Sequence, residues 1–476
     1  MRTATRLRRR PPATDVTARD DRLLVAVAVL ASFVAFLDGS VVNLALPAIS
    51  AELGGGLVLQ QWVVDGYLLT LGALILVAGA ISDTFGRLTV LRTGLVVFGV
   101  ASLVCTVAPN GAVLVIGRCV QGLGAAFLVP SSLAMINATF SGPQQSRAIG
   151  IWTAWTGTAF VIGPLLGGLL VETLGWRWVF AVNVVPLAVT MVLAGTLSDE
   201  PVRRAGRIDA VGAVLTAVGL SAMVVAMIEQ QRLGWHHPLI VAGLITGPAC
   251  LIVFGWWERR TPHPMLPPAI FSARNFTVGN VATVFLYAGI TLGMLLVALF
   301  VQEVGRLSPA QAGLATLPVP VLSFLLAARF GELAGRQGPR RFMAVGPVIA
   351  AAGFGWMALA HGNVWVQTVP GLVLFGIGLS VTVSPLTAAI LAAVDPAQSG
   401  IGSAINNAVA RVAGLIAIAF TAVIVGDAMS LDGFRRGVLT SAALLVIAGI
   451  VSAVGIRDDR RGRSPESVAT AACRDR

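Results

Sequence analysis

Residues 23–49 read LLVAVAVLASFVAFLDGSVVNLALPAI, an apolar run that a single acid, Asp38, interrupts. About 20 apolar residues in a helix are enough to cross the roughly 30 Å hydrocarbon core of a bilayer. A charged side chain in the middle of such a span costs about 2.5–3.5 kcal/mol on insertion scales. Asp38 therefore needs a physical reason to be there, and the rest of the sequence has to supply it.

The remainder of the chain repeats the apolar pattern. The 476 residues are 56% hydrophobic and 12% charged, with a mean hydropathy of +0.85, whereas ordinary soluble chains carry about 25% charged residues. We count about fourteen apolar spans, and they are continuously apolar instead of alternating, which indicates helices and not a barrel. The sequence predicts an all-α polytopic membrane protein.

The basic residues exclude several chemistries. All 33 of them are arginines. A P-loop requires a lysine on the nucleotide phosphates, and a Schiff-base enzyme requires a lysine amine. We therefore expect neither an ATP-driven pump nor an enzyme, and no cofactor. The four cysteines and four histidines show no metal-ligand spacing, so we expect no metal site.

An internal repeat predicts the domain organisation. GAISDTFGRL at residues 79–88 follows the second span, and GELAGRQGPR at residues 331–340 follows the tenth, at the same place within two six-span blocks. Parallel repeats are typical of transporters whose halves rock around a central site. The predicted segments are a cytoplasmic basic tail at 1–21, a six-helix bundle at 22–200, two inserted helices at 201–257, a cytoplasmic linker at 258–274, a second six-helix bundle at 275–457 and a cytoplasmic tail at 458–476.

The arginine distribution predicts the orientation. Placing the N-terminus inside the cell puts about 26 of the 33 arginines in tails and loops of the inner side, and about five in those of the outer side. We therefore expect a multi-pass plasma-membrane protein with both termini cytoplasmic. Topology also accounts for the net charge of +11, so we expect no nucleic-acid partner.

Six motifs in sequence order resemble the major facilitator superfamily, and specifically its fourteen-span drug:proton antiporters. They lie in or between the first six spans and read LDGSVVNLALPAI, QWVVDGYLL, GAISDTFGR, RCVQGLGAA, GPLLGG and GWRWVFAVNVVP. Within that family the chain most resembles actinobacterial antibiotic-resistance exporters of the methylenomycin type. The resemblance implies the major facilitator fold, with two six-helix bundles and two inserted helices, in a monomer that exchanges an amphiphilic drug for protons. The alternative is a metabolite importer or facilitator with the same fold.

Three charged residues are candidates for proton coupling. Asp38 can load and release a proton inside span one, and the alternative is a structural hydrogen bond. Arg118 in span four needs an anionic partner, and pairing with Asp38 would let protonation break the pair and bias two states. The resemblance assigns both residues to the coupling apparatus. Asp65, early in span two, fits a proton or cation site and a solvated helix end equally well.

The loop after span two matches the family's conformational-gate motif in part. Gly79, Asp83, Gly86 and Arg87 are in place, whereas two positions that are usually basic are not. The glycines suit a tight turn between closely packed helices, and Asp83 can pair with Arg87 as a charge latch. An ordinary positively charged inner loop is the alternative.

Span five carries the antiporter motif of the family. Gly163, Pro164, Gly167 and Gly168 are present, and Ala159 replaces the first glycine. Small residues at this spacing let two helices approach closely, and proline loosens the backbone ladder. Packing alone explains this composition, and the resemblance adds a role as a hinge.

Polar residues in spans four and thirteen are candidates to line a cavity. Gln121 follows Arg118 by one helical turn, and Asn406, Asn407 and Arg411 interrupt an apolar helix. A polar stripe inside a membrane helix usually faces an aqueous cavity. We expect these residues to line the central route, with contact between neighbouring helices as the alternative for those of span thirteen.

Overall fold

The structure, a computed structural model, is built mostly from long helices. It describes residues 14–140, 142–198, 209–262, 264, 266, 268–359, 364–394, 399–426 and 428–458. The boundary predicted between residues 200 and 201 and most of both predicted tails lie outside these ranges. The first helix begins at Thr14 and therefore inside the predicted tail 1–21, because residues 14–21 contain no proline or glycine to stop it.

The α-helices of the described chain run in an order that matches the predicted spans. They are α1 (Thr14–Leu53), α2 (Gly56–Phe85), α3 (Arg87–Thr106), α4 (Gly111–Thr139), α5 (Gly142–Thr173), α6 (Trp178–Ala181), α7 (Val184–Gly195), α8 (Ala210–Leu233), α9 (Pro238–Glu258), α10 (Arg274–Glu303), α11 (Pro309–Thr316), α12 (Pro318–Gln337), α13 (Pro339–Ala358), α14 (Val364–Ala392), α15 (Ser399–Ala419), α16 (Thr421–Val425) and α17 (Leu431–Gly455). Among the described residues, 13 segments are long and apolar enough to cross a membrane, and Ile405–Ala419 is a shorter apolar helix. These 13 and the shorter helix account for the fourteen predicted spans.

Two of the crossings are interrupted helices. The sixth combines α6 with α7, and the tenth combines α11 with α12. Pro318 is the first residue of α12 and has no N–H with which to continue the hydrogen-bond ladder of α11. A capping box formed by Ser308 and Gln311 starts α11. The tenth span therefore presents a separate short helix to its neighbours.

The internal repeat is visible in the backbone. Gly86, between α2 and α3, has φ 96° and ψ 129°, and Gly338, between α12 and α13, has φ 94° and ψ 145°. Glycine reaches these left-handed angles without the steric cost that a side chain would impose. The sequence repeats at residues 79–88 and 331–340 thus make the same turn in the two halves.

The helices form two bundles with an inserted pair on their flank. Helices α1–α7 make the first bundle and α10–α17 the second, and each encloses its own apolar core. The inserted pair α8–α9 packs against both bundles through a shared apolar cluster. That cluster includes Leu69 of α2, Leu220, Val224 and Met227 of α8, and Leu415 of α15. The pair therefore lies where α2 of the first bundle meets α15 of the second.

Because the spans alternate in direction and are even in number, α1 begins and α17 ends at the same membrane face. We call this the proximal face and the opposite one the distal face.

Candidate functional site

Asp38 lies at the centre of a buried polar cluster in the first bundle. Its Oδ2 is 2.5 Å from Nη1 of Arg118, and its Oδ1 accepts hydrogen bonds from Nδ2 of Asn183 at 2.8 Å and Nε2 of Gln121 at 3.2 Å. The Asp38 side chain is 0% exposed and that of Arg118 1%. A buried charge needs both a counter-charge and hydrogen bonds to compensate for lost hydration, and Asp38 has both.

The guanidinium of Arg118 is enclosed on its other sides as well. Its Nε donates to the carbonyl of Val63 at 2.8 Å, and Nη1 also donates to Oε1 of Gln121 at 2.8 Å. The ring centroid of Tyr67 is 4.5 Å from Cζ, within cation–π distance. The Tyr67 hydroxyl in turn donates to the carbonyl of Ala35 at 3.0 Å. Arg118 therefore connects α1, α2 and α4.

The cluster agrees with one sequence expectation and corrects another. The predicted contact between Asp38 and Arg118 is present. Gln121, expected to line a cavity, is instead fully buried, and its Nε2 also donates to Ser102 at 2.8 Å, because this face of α4 packs inside the first bundle. Asn183 was not among the residues predicted from the sequence. An amide inside the apolar motif GWRWVFAVNVVP was the available signal.

Asp65 is buried at the seam between the bundles. It is 0% exposed, and no hydrogen-bond partner for either carboxylate oxygen is found among the described residues. Helical spacing puts Asp65 on the side of α2 that carries Gln61 and Gly72. Nε2 of Gln61 donates to the carbonyl of Ile418 in α15 at 2.8 Å, and a Cβ at Gly72 would lie 3.9 Å from that of Arg411. The solvated helix end proposed as an alternative is therefore wrong, because this side of α2 packs on the second bundle.

Arg411 faces the first bundle from the middle of α15. Its Cζ is 5.3 Å from the ring centroid of Phe36 on α1. The side chain is half-buried. The cavity-lining role expected for Arg411 stays a prediction.

The two asparagines of α15 have separate environments. Nδ2 of Asn406 donates to Oγ1 of Thr283 at 2.9 Å and to Oδ1 of Asn280 at 3.3 Å, both on α10. Asn406 therefore joins two helices of the second bundle, and the expectation that it lines the central route is corrected. Asn407 is half-buried, and its Nδ2 donates to the carbonyl of Ser403 one turn earlier in the same helix. Its cavity-lining role stays a prediction.

The antiporter motif of α5 packs against α1 directly beyond Asp38. A Cβ at Gly163 would lie 2.3 Å from Oγ of Ser40, and one at Gly167 would lie 2.9 Å from the carbonyl oxygen of Val41. Real Cβ atoms do not approach so closely, so only glycine allows α5 and α1 to sit at this separation. Movement of α1 near Asp38 is thereby coupled sterically to α5.

The other side of the same motif contacts the second bundle. A Cβ at Gly168 would lie 2.3 Å from the carbonyl oxygen of Pro309, at the start of α11. One at Gly313 of α11 would lie 2.4 Å from the carbonyl oxygen of Pro164. The separate short helix α11 thus fits against α5 with backbone in contact with backbone.

Hydrogen bonds near the distal face also join the two bundles. Glu172, in the last turn of α5, accepts from the hydroxyl of Ser308 at 2.7 Å and from the backbone N–H of Ala310 at 3.0 Å. Nε2 of Gln60 in α2 donates to Oε1 of Glu303 in α10 at 2.8 Å. Carboxylates of both bundles therefore take part in contacts that hold the distal ends together.

The gate motif surrounds the turn between α2 and α3. Gly86 supplies the left-handed residue of that turn. A Cβ at Gly79 would meet no atom within 4 Å, so close packing does not explain this glycine, and its role in the gate motif stays a prediction. The side chain of Asp83 lies outside those that the structure describes, and its latch with Arg87 stays a prediction.

Comparisons with known proteins agree with the fold and the motifs. The sequence profile of the Major Facilitator Superfamily matches residues 28–213 and 200–418. The chain belongs to the Major Facilitator Superfamily. This membership confirms the resemblance read from the six motifs, and together with the many apolar helices it identifies a multi-pass membrane protein.

Solved structures of the superfamily share the fold. The POT family transporter PepTSo has a TM-score of 0.66 at 16% identity, covering 92% of this chain and 97% of that chain. The xylose transporter XylE from E. coli, in its inward open conformation, has a TM-score of 0.63 at 14% identity, covering 95% and 99%. Likeness at these identities shows the fold alone, and it confirms the predicted fold class.

Sequence relatives are closer. Puromycin resistance protein pur8 of Streptomyces alboniger is 33% identical over 90% of this chain and 89% of its own length. Methylenomycin A resistance protein of Bacillus subtilis (strain 168) is 30% identical over 84% and 87%. Multidrug resistance protein Stp of Mycobacterium tuberculosis (strain CDC 1551 / Oshkosh) is 34% identical over 81% and 73%. The superfamily relatives thus include proteins named for resistance to antibiotics.

Proposed function

We propose that the chain is a proton-coupled exporter of amphiphilic antibiotics or drugs, working by alternating access in the plasma membrane. The names of its relatives support the substrate class, and the arginine distribution supports cytoplasmic termini at the proximal face. The observation that carries proton coupling is the fully buried ion pair between Asp38 and Arg118. Ionisable residues inside membrane spans commonly mark substrate and ion pathways and proton relays.

Protonation of Asp38 is the proposed coupling step. A neutral acid loses the charge attraction to Arg118, which then keeps the carbonyl of Val63, the Gln121 side chain and the Tyr67 ring. Helix α1 can then move relative to α4. Because α1 also packs against the glycines of α5, this shift reaches the helix that contacts α11 of the other bundle. The proton thereby biases the equilibrium between two packing states.

Asp65 is the proposed second proton carrier. A carboxylate buried without a counter-charge or a hydrogen bond costs several kcal/mol, whereas the neutral acid does not carry this penalty. We infer that Asp65 holds a proton while the seam between α2 and α15 is closed. Opening of the seam would expose Asp65 to water and release the proton, which links its titration to the movement of the bundles.

The contacts at the distal face suggest which state the structure represents. Glu172 and Gln60 tie the bundles together there, and α5 and α11 are in backbone contact. We assign this arrangement to the state that is closed to the outside and takes up the drug from the cytoplasm. One proton crossing about 100 mV supplies roughly 2.3 kcal/mol, enough for a near fiftyfold gradient of a neutral solute.

The test uses inside-out vesicles that contain the protein. A proton gradient is imposed across their membrane, and a pH-sensitive dye reports the movement of protons. Puromycin, methylenomycin A and ethidium are added to the wild type, to Asp38→Asn and to the matched control Glu332→Gln, whose side chain is 65% exposed. We expect drug-induced proton release in the wild type and in Glu332→Gln, and none in Asp38→Asn.

Two outcomes would count against the proposal. If the wild type moved no protons with any compound, the exporter assignment would fail for this panel, and metabolites would be the next compounds to test. If Asp38→Asn kept full coupling, Asp38 would be structural, and the same measurement on Asp65→Asn would decide whether the second acid carries the proton.

A further inference from the structure

Arg118 of α4 and Arg411 of α15 both lie inside apolar helices, and their environments differ sharply. Arg118 is enclosed by an acid, an amide and a carbonyl. Arg411 is half-buried, and among the described residues no carboxylate lies within ion-pair distance of it. Its contact is the ring of Phe36. The cation of Arg411 is therefore uncompensated in a place where an isolated charge is costly.

The surroundings of Arg411 are aromatic. The ring of Phe36 lies 5.3 Å from its Cζ and is itself packed edge-on against Trp152 of α5, with ring centroids 6.3 Å apart. Helices α1 and α5 of the first bundle and α15 of the second contribute these residues. A ligand here would touch both halves.

Asp65, on the side of α2 that faces α15, is a candidate for a resident counter-charge, and the geometry argues against it. Arg411 packs beside Gly72, which is two helical turns, roughly 10 Å, along α2 from Asp65. Both carboxylate oxygens of Asp65 lack a hydrogen-bond partner among the described residues. The two groups do not neutralise each other in this state.

We propose that Arg411 binds the acidic group, a carboxylate or an ionised phenol, of an aromatic amphiphilic substrate. The guanidinium offers a planar, permanently charged fork that matches a carboxylate in two-point contact. Phe36 and its aromatic neighbours would pack against the rings of the same molecule. The site therefore favours acids over cations of similar shape. This inference rests on the proposed export function and names the substrate class within it.

The test compares two probes that differ in one group. Dansyl-phenylalanine carries a carboxylate, and dansyl-phenylalanine amide has the same rings without the charge. Their binding to purified protein in nanodiscs is followed by dansyl fluorescence for the wild type, Arg411→Gln, Arg411→Lys and the control Arg336→Gln, whose side chain is 75% exposed. Size-exclusion profiles and thermal unfolding establish that each variant is folded.

We expect the wild type and Arg336→Gln to bind the acid more tightly than the amide. Arg411→Gln should weaken binding of the acid at least about tenfold and that of the amide less than about twofold, because one charge-assisted contact is lost. Arg411→Lys should restore most of the preference. Equal losses for both probes, no loss for either, or no preference for the acid in the wild type would each overturn the proposal.

The outcome is separable from that of the export proposal, because binding is measured without a gradient. Acid preference without proton movement would retain the site and reject efflux. Proton-coupled efflux without acid preference would reject this inference alone.

Discussion

The side chains of Asp38 and Arg118 should be strongly coupled in their effect on stability. Removing both together should therefore cost less unfolding free energy than the sum of the two single losses. Asp38→Asn leaves the cation of Arg118 buried without a counter-charge, and Arg118→Met does the same to the acid. Breaking a buried pair in this way costs about 3–5 kcal/mol of unfolding free energy. Because Arg118 keeps its bonds to Val63 and Gln121, we expect the lower end, about 3 kcal/mol, for each single variant.

The double variant carries no charge in the cluster and should lose about 3 kcal/mol in total instead of about 6. The coupling between the two sites is therefore about 3 kcal/mol. These four proteins, the wild type, the two single variants and the double variant, form a double-mutant cycle. Their unfolding free energies are measured by SDS titration in mixed micelles, followed by circular dichroism. The exposed pair Glu332–Arg336, with side chains 65% and 75% exposed, provides the control cycle, for which we expect a coupling below about 1 kcal/mol.

Additive losses at Asp38 and Arg118, with a coupling below about 0.5 kcal/mol, would refute the reasoning. That result would mean that water or another group compensates each charge independently. The two residues could then not act as a proton-sensitive latch.

Two further predictions follow from the seam between the bundles. Asp65→Asn replaces the acid by an isostere of its neutral form. Because no hydrogen-bond partner is lost, the same SDS titration should show a change in unfolding free energy below about 1 kcal/mol. A loss as large as that of Asp38→Asn would mean that Asp65 has a partner. Gly168→Ala places a Cβ where the carbonyl oxygen of Pro309 lies 2.3 Å away, and should therefore open the distal face. The assay is maleimide labelling of Gln60→Cys in a background without the native cysteines, and its rate should rise severalfold with Gly168→Ala. The control Gly157→Ala, whose Cβ meets no atom within 4 Å, should leave the rate unchanged. Equal rates for the two variants would contradict the steric argument.

The sequence alone determined the fold class, because its signals are local. An apolar run of membrane-spanning length predicts a helix wherever it occurs, and the repeated turns at Gly86 and Gly338 need only their own backbone angles. A charge in mid-span is equally visible, so Asp38 and Arg411 could be singled out by position. The six family motifs then connected these residues to a transporter.

Only the tertiary structure decided which neighbours each polar side chain meets. Gln121 and Asn406 carry the same polar signal as Arg411, yet both are used within a bundle, because helix rotation sets the face that points inward. Asp65 fitted a proton or cation site and a solvated helix end equally well in sequence, and it lies buried at the seam because α15, distant in the chain, packs over it. The length of an apolar run reports that a residue is in the membrane. The identity of its partner depends on contacts between segments hundreds of residues apart, which no local pattern encodes.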